Sequence, residues 1–345
     1  MNEPVLVYLD TEDKSRGAEL TPIRWGILGP GAIAEKFATG LAVLEDAELA
    51  AIGSRDLTRA EAFAHRFGAS RAFGSYEELA NDPDVDIIYV ATPHPMHSSA
   101  AMLCLEAGKA VLCEKPFTVN ASEAEKLISF ARDRDLFIME AMWTRYLPLF
   151  VELRRLLAEG AIGDPRLLTA DFGFAHSGGP AHRLFNPELA GGALLDVGIY
   201  VCSLASMIFG TPDRISSLAV LGDTGVDEVA AVTLGYAGGG IAQLNVAVRV
   251  NTPQEATISG TEGWIRLDST WWNGQRMSVH RAGQPVETIE APYAGNGYNY
   301  EAAEAMRCLR EGLIESPVMP HAETLSLMET LDAIRAQWGL TYPVE

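Results

Sequence analysis

The sequence predicts two structural units in series: an α/β Rossmann-type domain with a doubly wound parallel sheet at residues 21–145, then an α+β domain with a mainly antiparallel open sheet at residues 146–345. Three observations predict it. The chain has 345 residues, 48% of them apolar, which is more than one hydrophobic core usually organises. From Ile23 to about residue 142, short apolar runs alternate with amphipathic stretches, the pattern of βαβ units. Beyond about residue 160, alternating strands are joined by Gly-rich turns such as Ala237-Gly238-Gly239-Gly240, as in a sheet with one covered face.

In chain order, residues 1–20 are polar, carry both signs of charge and end in Gly17-Ala18-Glu19-Leu20, so they read as a peripheral extension. Strands are expected at 23–28, 48–53, 87–91, 110–113 and 137–141. Helices at 32–44, 57–67, 97–107 and 122–134 separate them, because their apolar residues recur at three- and four-residue spacing. Asp56 is placed to cap the second of these helices. After a helix at 147–159, strands are expected at 166–174, 215–221, 228–236, 240–248, 254–260 and 264–268. Helices at 192–209, 300–311 and 322–337 are expected to cover one face of that second sheet.

Composition narrows the function. A formal net charge of −20 argues against a nucleic-acid partner, whose phosphates demand clustered Lys and Arg. The sequence reads as having no apolar run near the roughly 18–20 residues of a membrane span, and the first residues lack the basic start of a secretion signal, so a cytoplasmic protein is expected. Cys104, Cys113, Cys202 and Cys308 are widely spaced and read as reduced, buried thiols. The seven histidines show no metal-binding spacing, and the nearest pair, His94 and His97, reads as structural, so no metal is expected.

The segment Gly29-Pro30-Gly31-Ala32-Ile33-Ala34 follows the first expected strand and opens a helix. A glycine at 29 permits the tight turn, and one at 31 lets backbone N–H groups approach a pyrophosphate at the positive end of the helix dipole. Gly29, Gly31, Ala32 and Ile33 are therefore candidate dinucleotide contacts. The second strand ends in Gly53-Ser54-Arg55-Asp56. There Arg55 and Ser54 suit a ribose 2′-phosphate, which favours NADP over NAD, although Asp56 could instead reach a ribose hydroxyl.

Lys115, in Cys113-Glu114-Lys115-Pro116, stands at the carboxyl end of a strand, aimed at the crevice where open α/β sheets bind ligands; an ordinary strand-end lysine is the competing reading. Asp196 and Tyr200 are four apart on the helix after Gly191-Gly192 and share a face. A neighbouring ammonium is expected to lower the tyrosine pKa and make proton exchange practical, although a tyrosine alone more often only packs.

Taken together, Gly29-x-Gly31-x-x-Ala34, Thr92-Pro93 with His97, Glu114-Lys115-Pro116 and the Asp196 to Tyr200 helix resemble the glucose–fructose oxidoreductase, inositol dehydrogenase and rhizopine-catabolism (Gfo/Idh/MocA) family over about residues 22–340. The stretch Glu140-Ala141-Met142-Trp143-Thr144-Arg145-Tyr146-Leu147-Pro148 is similar to the E-x-x-W-x-R-x-x-P segment of its dimeric dihydrodiol and NADP-dependent D-xylose dehydrogenase branch. The resemblance implies that Lys115 and Tyr200 are the catalytic pair, with Asp196 the accompanying acid. It implies a nicotinamide between Trp143 and the Glu114-Lys115 turn, and adds Thr92, Pro93, His97, Glu114, Trp143 and Arg145 to the cofactor contacts. It also implies a homodimer formed through the open second sheet.

On the substrate side, Trp143, Phe172, Phe174, His176, His182 and Trp271 are candidate contacts, since aromatic faces with a few polar groups suit a sugar, polyol or cyclic diol. Arg183 and Trp272 adjoin them, with solvent and dimer contacts as the plain alternatives. The expected activity is hydride transfer between NADP and a CH–OH or C=O group. Two other readings are an NADP-sensing regulator without catalysis and a nicotinamide-dependent glycosidase; retention of both Lys115 and Tyr200 argues against the first, and Arg55 against the second.

Overall fold

The computed structural model describes residues 21–345; the expected extension at 1–20 lies outside the described residues. Six strands, β1 (Ile23–Leu28), β2 (Ala47–Gly53), β3 (Arg71–Phe73), β4 (Ile87–Val90), β5 (Ala110–Glu114) and β6 (Ile138–Ala141), form a parallel sheet. Their order, β3-β2-β1-β4-β5-β6, reverses direction between β1 and β4, and such a switch point opens a crevice at the carboxyl ends of the strands. Two elements escaped the sequence reading, β3 and the helix Tyr76–Ala80. Three and five residues are too few to display a period.

Helices fill both faces for local reasons. Asp56 caps Leu57–Phe67, accepting from the N–H groups of Thr58 at 3.0 Å and Arg59 at 3.4 Å. Asn120 does the same for Ala121–Asp133. Beneath Ala32–Leu41, Phe37 stacks on Tyr89 of β4 with centroids 3.8 Å apart, and Trp25 leans on Phe37.

The second sheet contains β7 (Pro165–Gly173), β8 (Arg214–Leu221), β9 (Asp227–Gly235), β10 (Ile241–Ala247), β11 (Ala256–Gly260), β12 (Gly263–Leu267), β13 (Arg276–Arg281) and β14 (Glu287–Glu290), in the order β14-β13-β12-β11-β7-β10-β9-β8. Every pairing is antiparallel except β7 with β10. Strands β13 and β14 were not anticipated, although Met277 and Val279 alternate with polar neighbours; β14 is a polar edge strand with no apolar alternation.

The helix Ile199–Phe209 covers one face of this sheet, against β7 and β10. With the turns before it, Pro187–Phe209 has the length and apolarity of a membrane span, contrary to the sequence reading, because Asp196 and the glycines had hidden how apolar the run is. It is 78% buried inside the fold, as a core helix is. The opposite face of the sheet carries Leu218 (80% exposed), Val220, Ile241 and Leu167, with Ile241 directly beside Leu167 across β10 and β7.

The two C-terminal helices depart from expectation. Tyr298–Arg310 packs on Ala32–Leu41 of the first unit, not on the second sheet. Gly40 permits that approach, since a Cβ there would press on Asn296, Tyr298 and Asn299. His321–Trp338 reaches from the edge strand β8 to Ala121–Asp133 of the first unit. Both helices therefore fasten the units together.

Candidate active site

A cleft of about 910 Å³ runs from the carboxyl ends of β1, β2 and β4 to the helix bearing Tyr200. Gly29, Gly31, Ala32, Ile33, Ser54, Arg55, Thr92, Pro93, His97, Glu114, Lys115, Trp143, Phe172, Phe174, Asp196 and Tyr200 all line it, so most of the residues singled out in the sequence meet in one place.

At the turn, Gly29 has φ +93° and a Cβ on it would lie 3.0 Å from the Ala91 carbonyl oxygen, which only glycine avoids. Gly31 differs in kind: a Cβ there meets nothing, so the position opens straight into the cleft. No side chain caps the helix that starts beyond it, which leaves its first N–H groups to a ligand. Beside it the Thr92 hydroxyl is buried without a partner. An uncapped helix end, an open glycine and an orphaned hydroxyl fit a dinucleotide pyrophosphate.

At the far end of the cleft, Arg55 and Arg59 are exposed above buried Ser54. Asp56 is occupied: its carboxylate caps the next helix and its N–H donates to Ser54 Oγ at 3.2 Å. The carboxylate that could have served a ribose hydroxyl therefore has another task.

At the near end, Lys115 Nζ donates to the Asp196 carbonyl at 2.9 Å and lies 4.8 Å from the centre of the Tyr200 ring. Trp143 Nε1 donates to Tyr200 Oη at 3.0 Å, and Arg183 Nη1 reaches Asp196 Oδ1 at 2.7 Å. Burial opposes charge on Lys115, but Tyr200, Asp196 and Glu114 outweigh it and raise the lysine pKa, so it remains an ammonium. Burial also works against the Asp196 carboxylate, yet Lys115 and Arg183 hold its pKa below the ordinary value. The expectation for Tyr200 requires correction. Lys115 does pull its pKa down, but burial, reinforced by Glu114, is stronger, and the net direction is upward. Its resting form is the phenol.

Glu114 is buried behind this group, accepting from Tyr89 Oη and, at 3.0 Å, from the Lys115 N–H; burial keeps its pKa raised. His97 has Nδ1 at 2.8 Å from the Pro116 carbonyl and Nε2 at 2.7 Å from that of Thr92, pinning the Lys115-Pro116 turn to the end of β4. His94, which reads as structural in the sequence, lines the cleft, and burial presses its pKa down to about 3.

Aromatic rings wall the open side. Phe172 stacks on Trp272 with centroids 3.3 Å apart, and both face the cleft beside Tyr200. Four expected contacts lie elsewhere. Trp271 is fully buried, with Nε1 donating to the Asp171 carbonyl; in a short helical turn adjacent residues point to different sides, and Trp272 takes the cleft position. His176 and His182 stack on each other at 4.0 Å, each accepting from a nearby backbone N–H, and neither lines the cleft. Arg145, an expected cofactor contact, is buried in the junction between the units. It donates to Ser203 Oγ at 2.9 Å, to the Ser203 carbonyl at 2.7 Å and to Glu323 Oε1 at 2.5 Å. Removing it takes the charged partner from the half-buried Glu323, which keeps only the Ser206 hydroxyl, and leaves the Ser203 carbonyl without this donor, so Arg145→Met is expected to cost about 1–3 kcal/mol of stability. Denaturant unfolding together with nucleotide titration checks this: the unfolding midpoint falls and nucleotide affinity of the folded protein does not.

Sequence reasoning overlooked Lys36, Arg59, Tyr76 and Tyr298 at this site, and named Arg183 and Trp272 only as neighbours of the substrate contacts, with solvent and dimer roles as alternatives. Tyr298 stacks on Trp143 at 4.6 Å and enters the cleft only because its helix crosses to the first unit, a long-range event with no local signature. Lys36 could have been found: it is one of five lysines and stands on the helix that Gly31 opens.

This is the site of a dinucleotide-dependent oxidoreductase. Residues 23–142 match the family described as "Oxidoreductase family, NAD-binding Rossmann fold", and residues 150–266 match the "GFO/IDH/MocA C-terminal domain". The chain belongs to the GFO/IDH/MocA family and is an NAD(P)-dependent dehydrogenase. Trans-1,2-dihydrobenzene-1,2-diol dehydrogenase of Mus musculus is 42% identical over 339 residues, covering 93% of this chain and 98% of the mouse protein. The Homo sapiens enzyme of that name is 41% identical over 330 residues, with the same coverage. Among solved structures, aldose-aldose oxidoreductase from Caulobacter crescentus, complexed with glycerol, superposes with a TM-score of 0.84 at 26% identity, covering 92% of this chain and 98% of that one. A 3-ketoreductase from Actinomadura kijaniata, in complex with NADP and TDP-benzene, gives 0.80 at 28% identity and the same coverage.

Proposed function

We propose that this protein uses NADP to interconvert a secondary hydroxyl and a carbonyl on a trans-dihydrodiol or a cyclic sugar, with Tyr200 as the acid/base and Lys115 as its support. The observation that carries the reading is the Lys115 ammonium set against both the Tyr200 ring and the Asp196 carbonyl at the floor of an aromatic cleft. When bound, the nicotinamide accepts or supplies the hydride. The protein does the rest. In reduction, the Tyr200 phenol gives its proton to the developing alkoxide; in oxidation, its phenolate takes the hydroxyl proton, and the Lys115 ammonium steadies the negative oxygen in either direction. Phe172 and Trp272 exclude water and offer apolar surface to the ring faces of the substrate, leaving its hydroxyl edge to Asp196 and Arg183.

The preference for NADP rests on Arg55 and Arg59 beside Ser54, with Asp56 engaged in capping. Replacing Arg55 by Ala is expected to weaken NADP about 10- to 100-fold, the worth of a charged hydrogen-bonded contact, while NAD changes little. Fluorescence titration with both reduced cofactors reads this directly, and equal losses for the two would contradict the assignment. The homologues are diol dehydrogenases by name, so the first test is reduced-nicotinamide absorbance with trans-1,2-dihydrobenzene-1,2-diol, D-xylose and myo-inositol. Turnover of the diol or a sugar with NADP supports the reading, and tight NADP binding with no turnover of any of them overturns it.

Two further elements belong to this reading. The exposed apolar residues Leu218, Val220, Ile241 and Leu167 on the open face of the sheet suit a homodimer through it. Four free, buried cysteines are in keeping with a reducing compartment such as the cytoplasm.

A further inference from the structure

The helix that delivers Asp196 and Tyr200 does not begin in regular geometry. Its first turns, Leu194–Gly198, are widened into a π turn that then tightens into Ile199–Phe209. Such turns loosen the regular carbonyl ladder and recur at functional sites. Here the Asp196 carbonyl, inside that turn, is the one that accepts from Lys115 Nζ. The height and rotation of this turn decide where both the Lys115 anchor and the Tyr200 hydroxyl stand.

What holds the turn comes from the second sheet. Asp227, the first residue of β9, is completely buried, and its Oδ2 accepts from the Leu194 N–H at 2.7 Å. The segment just before the helix is fitted around this carboxyl. Gly192 has φ +118°, and a Cβ on it would collide with Asp227 Oδ1, an atom that has no hydrogen-bond partner. From the other side, Tyr342 Oη donates to the Gly191 carbonyl at 2.7 Å. Burial pushes the Asp227 carboxyl up to about 7 against the pull of the Leu194 and Ala193 N–H groups and of Arg335; Tyr342 is the other titratable group that faces it. A carboxyl kept in so unfavourable a place, with a glycine cleared beside it, asks for a reason beyond packing.

We propose that Asp227 is a positioning residue, which fixes the start of the π turn and thereby sets Asp196 and Tyr200 at their working distance from Lys115. The inference rests on the Lys115 and Tyr200 reading above. Asp227 touches no part of the cleft, so its effect must pass through the helix.

The test uses the full-length enzyme with Asp227→Ala, Asp227→Ser and Asp227→Asn. Asn keeps an oxygen where Leu194 needs an acceptor, whereas Ala has none and Ser is too short to present one. Turnover of the Ala and Ser variants is expected to fall about 10- to 100-fold, as a displaced acid/base demands. Their NADPH affinity is expected to stay within about threefold, because the nucleotide end is untouched, and Asn is expected to restore most of kcat. Ser is the polar fallback should Ala not yield folded protein. Unchanged kcat in folded Ala or Ser variants overturns the proposal, as does parallel loss of turnover and NADPH binding, or an Asn variant as poor as the others. Tyr200→Phe measured alongside separates the two claims: if it stays active, the underlying reading fails, and if it is dead while Asp227→Ala is active, only the positioning role fails.

Discussion

Tyr200→Phe is expected to lower kcat about 10²- to 10⁴-fold, the range that a positioned general acid or base contributes. The substitution removes only the hydroxyl. Phe retains the contact with Phe172 at 5.4 Å and the surface over which Lys115 Nζ lies, so nucleotide affinity should change little. Trp143 Nε1 loses its acceptor, a cost of about 1–3 kcal/mol if the site closes over it. The pH profile carries a sharper signature. Because burial raises the Tyr200 pKa above its ordinary value of 10.0, the phenol that reduction needs is present throughout the neutral range. The phenolate that oxidation needs accumulates only as pH rises. Reduction is therefore expected to hold level through neutrality, while oxidation climbs toward alkaline pH; in Tyr200→Phe that climb disappears along with the rate.

Lys115→Ala is expected to be at least as damaging to kcat, about 10³-fold or more, since one side chain serves both Tyr200 and Asp196. Its ammonium is the main group that lowers the Tyr200 pKa, and it helps to hold Asp196 ionised and binds the Asp196 carbonyl. Without it, burial, Glu114 and Asp196 push the Tyr200 pKa upward against only the hydrogen bond from Trp143. The alkaline climb of the oxidation rate should consequently move to still higher pH in whatever activity remains. Lys115→Arg tests whether charge alone suffices. A planar guanidinium cannot reproduce a point charge between a ring face and a carbonyl, so rescue should be slight. Stopped-flow rates across pH for the three proteins, with NADPH titrations as the control, check these expectations.

Much of this site was legible in the sequence because its parts sit where chain and secondary structure are tightly linked. A strand running into Gly29-Pro30-Gly31 and a helix is read locally, and so is a lysine at the end of β5. Helix periodicity placed Asp196 and Tyr200 on one face, and the π turn preserved that relation. The failures have a common physical origin. Arg145 stands in a stretch of motif-like spacing, yet its environment is set by Ser203 and Glu323, which only folding brings to it. Tyr298 and Trp272 reach the cleft through tertiary packing, and the choice between Trp271 and Trp272 depends on the turn angle of a three-residue helix. For Tyr200, the charge of Lys115 was visible in the sequence, but the depth of burial that overrides it was not. Asp227 gave no signal at all, because a buried carboxyl looks like any other until the helix end it serves is in view.

The most direct test of the central claim follows the hydride itself. A trans-dihydrodiol or aldose carrying deuterium on the carbinol carbon is incubated with NADP and the wild-type protein, and the reduced cofactor is analysed by mass spectrometry and NMR. The account predicts deuterium on the nicotinamide ring with the wild type and none above background with Tyr200→Phe or Lys115→Ala. Substrate turnover without deuterium in the cofactor, or equal transfer by all three proteins, would contradict it.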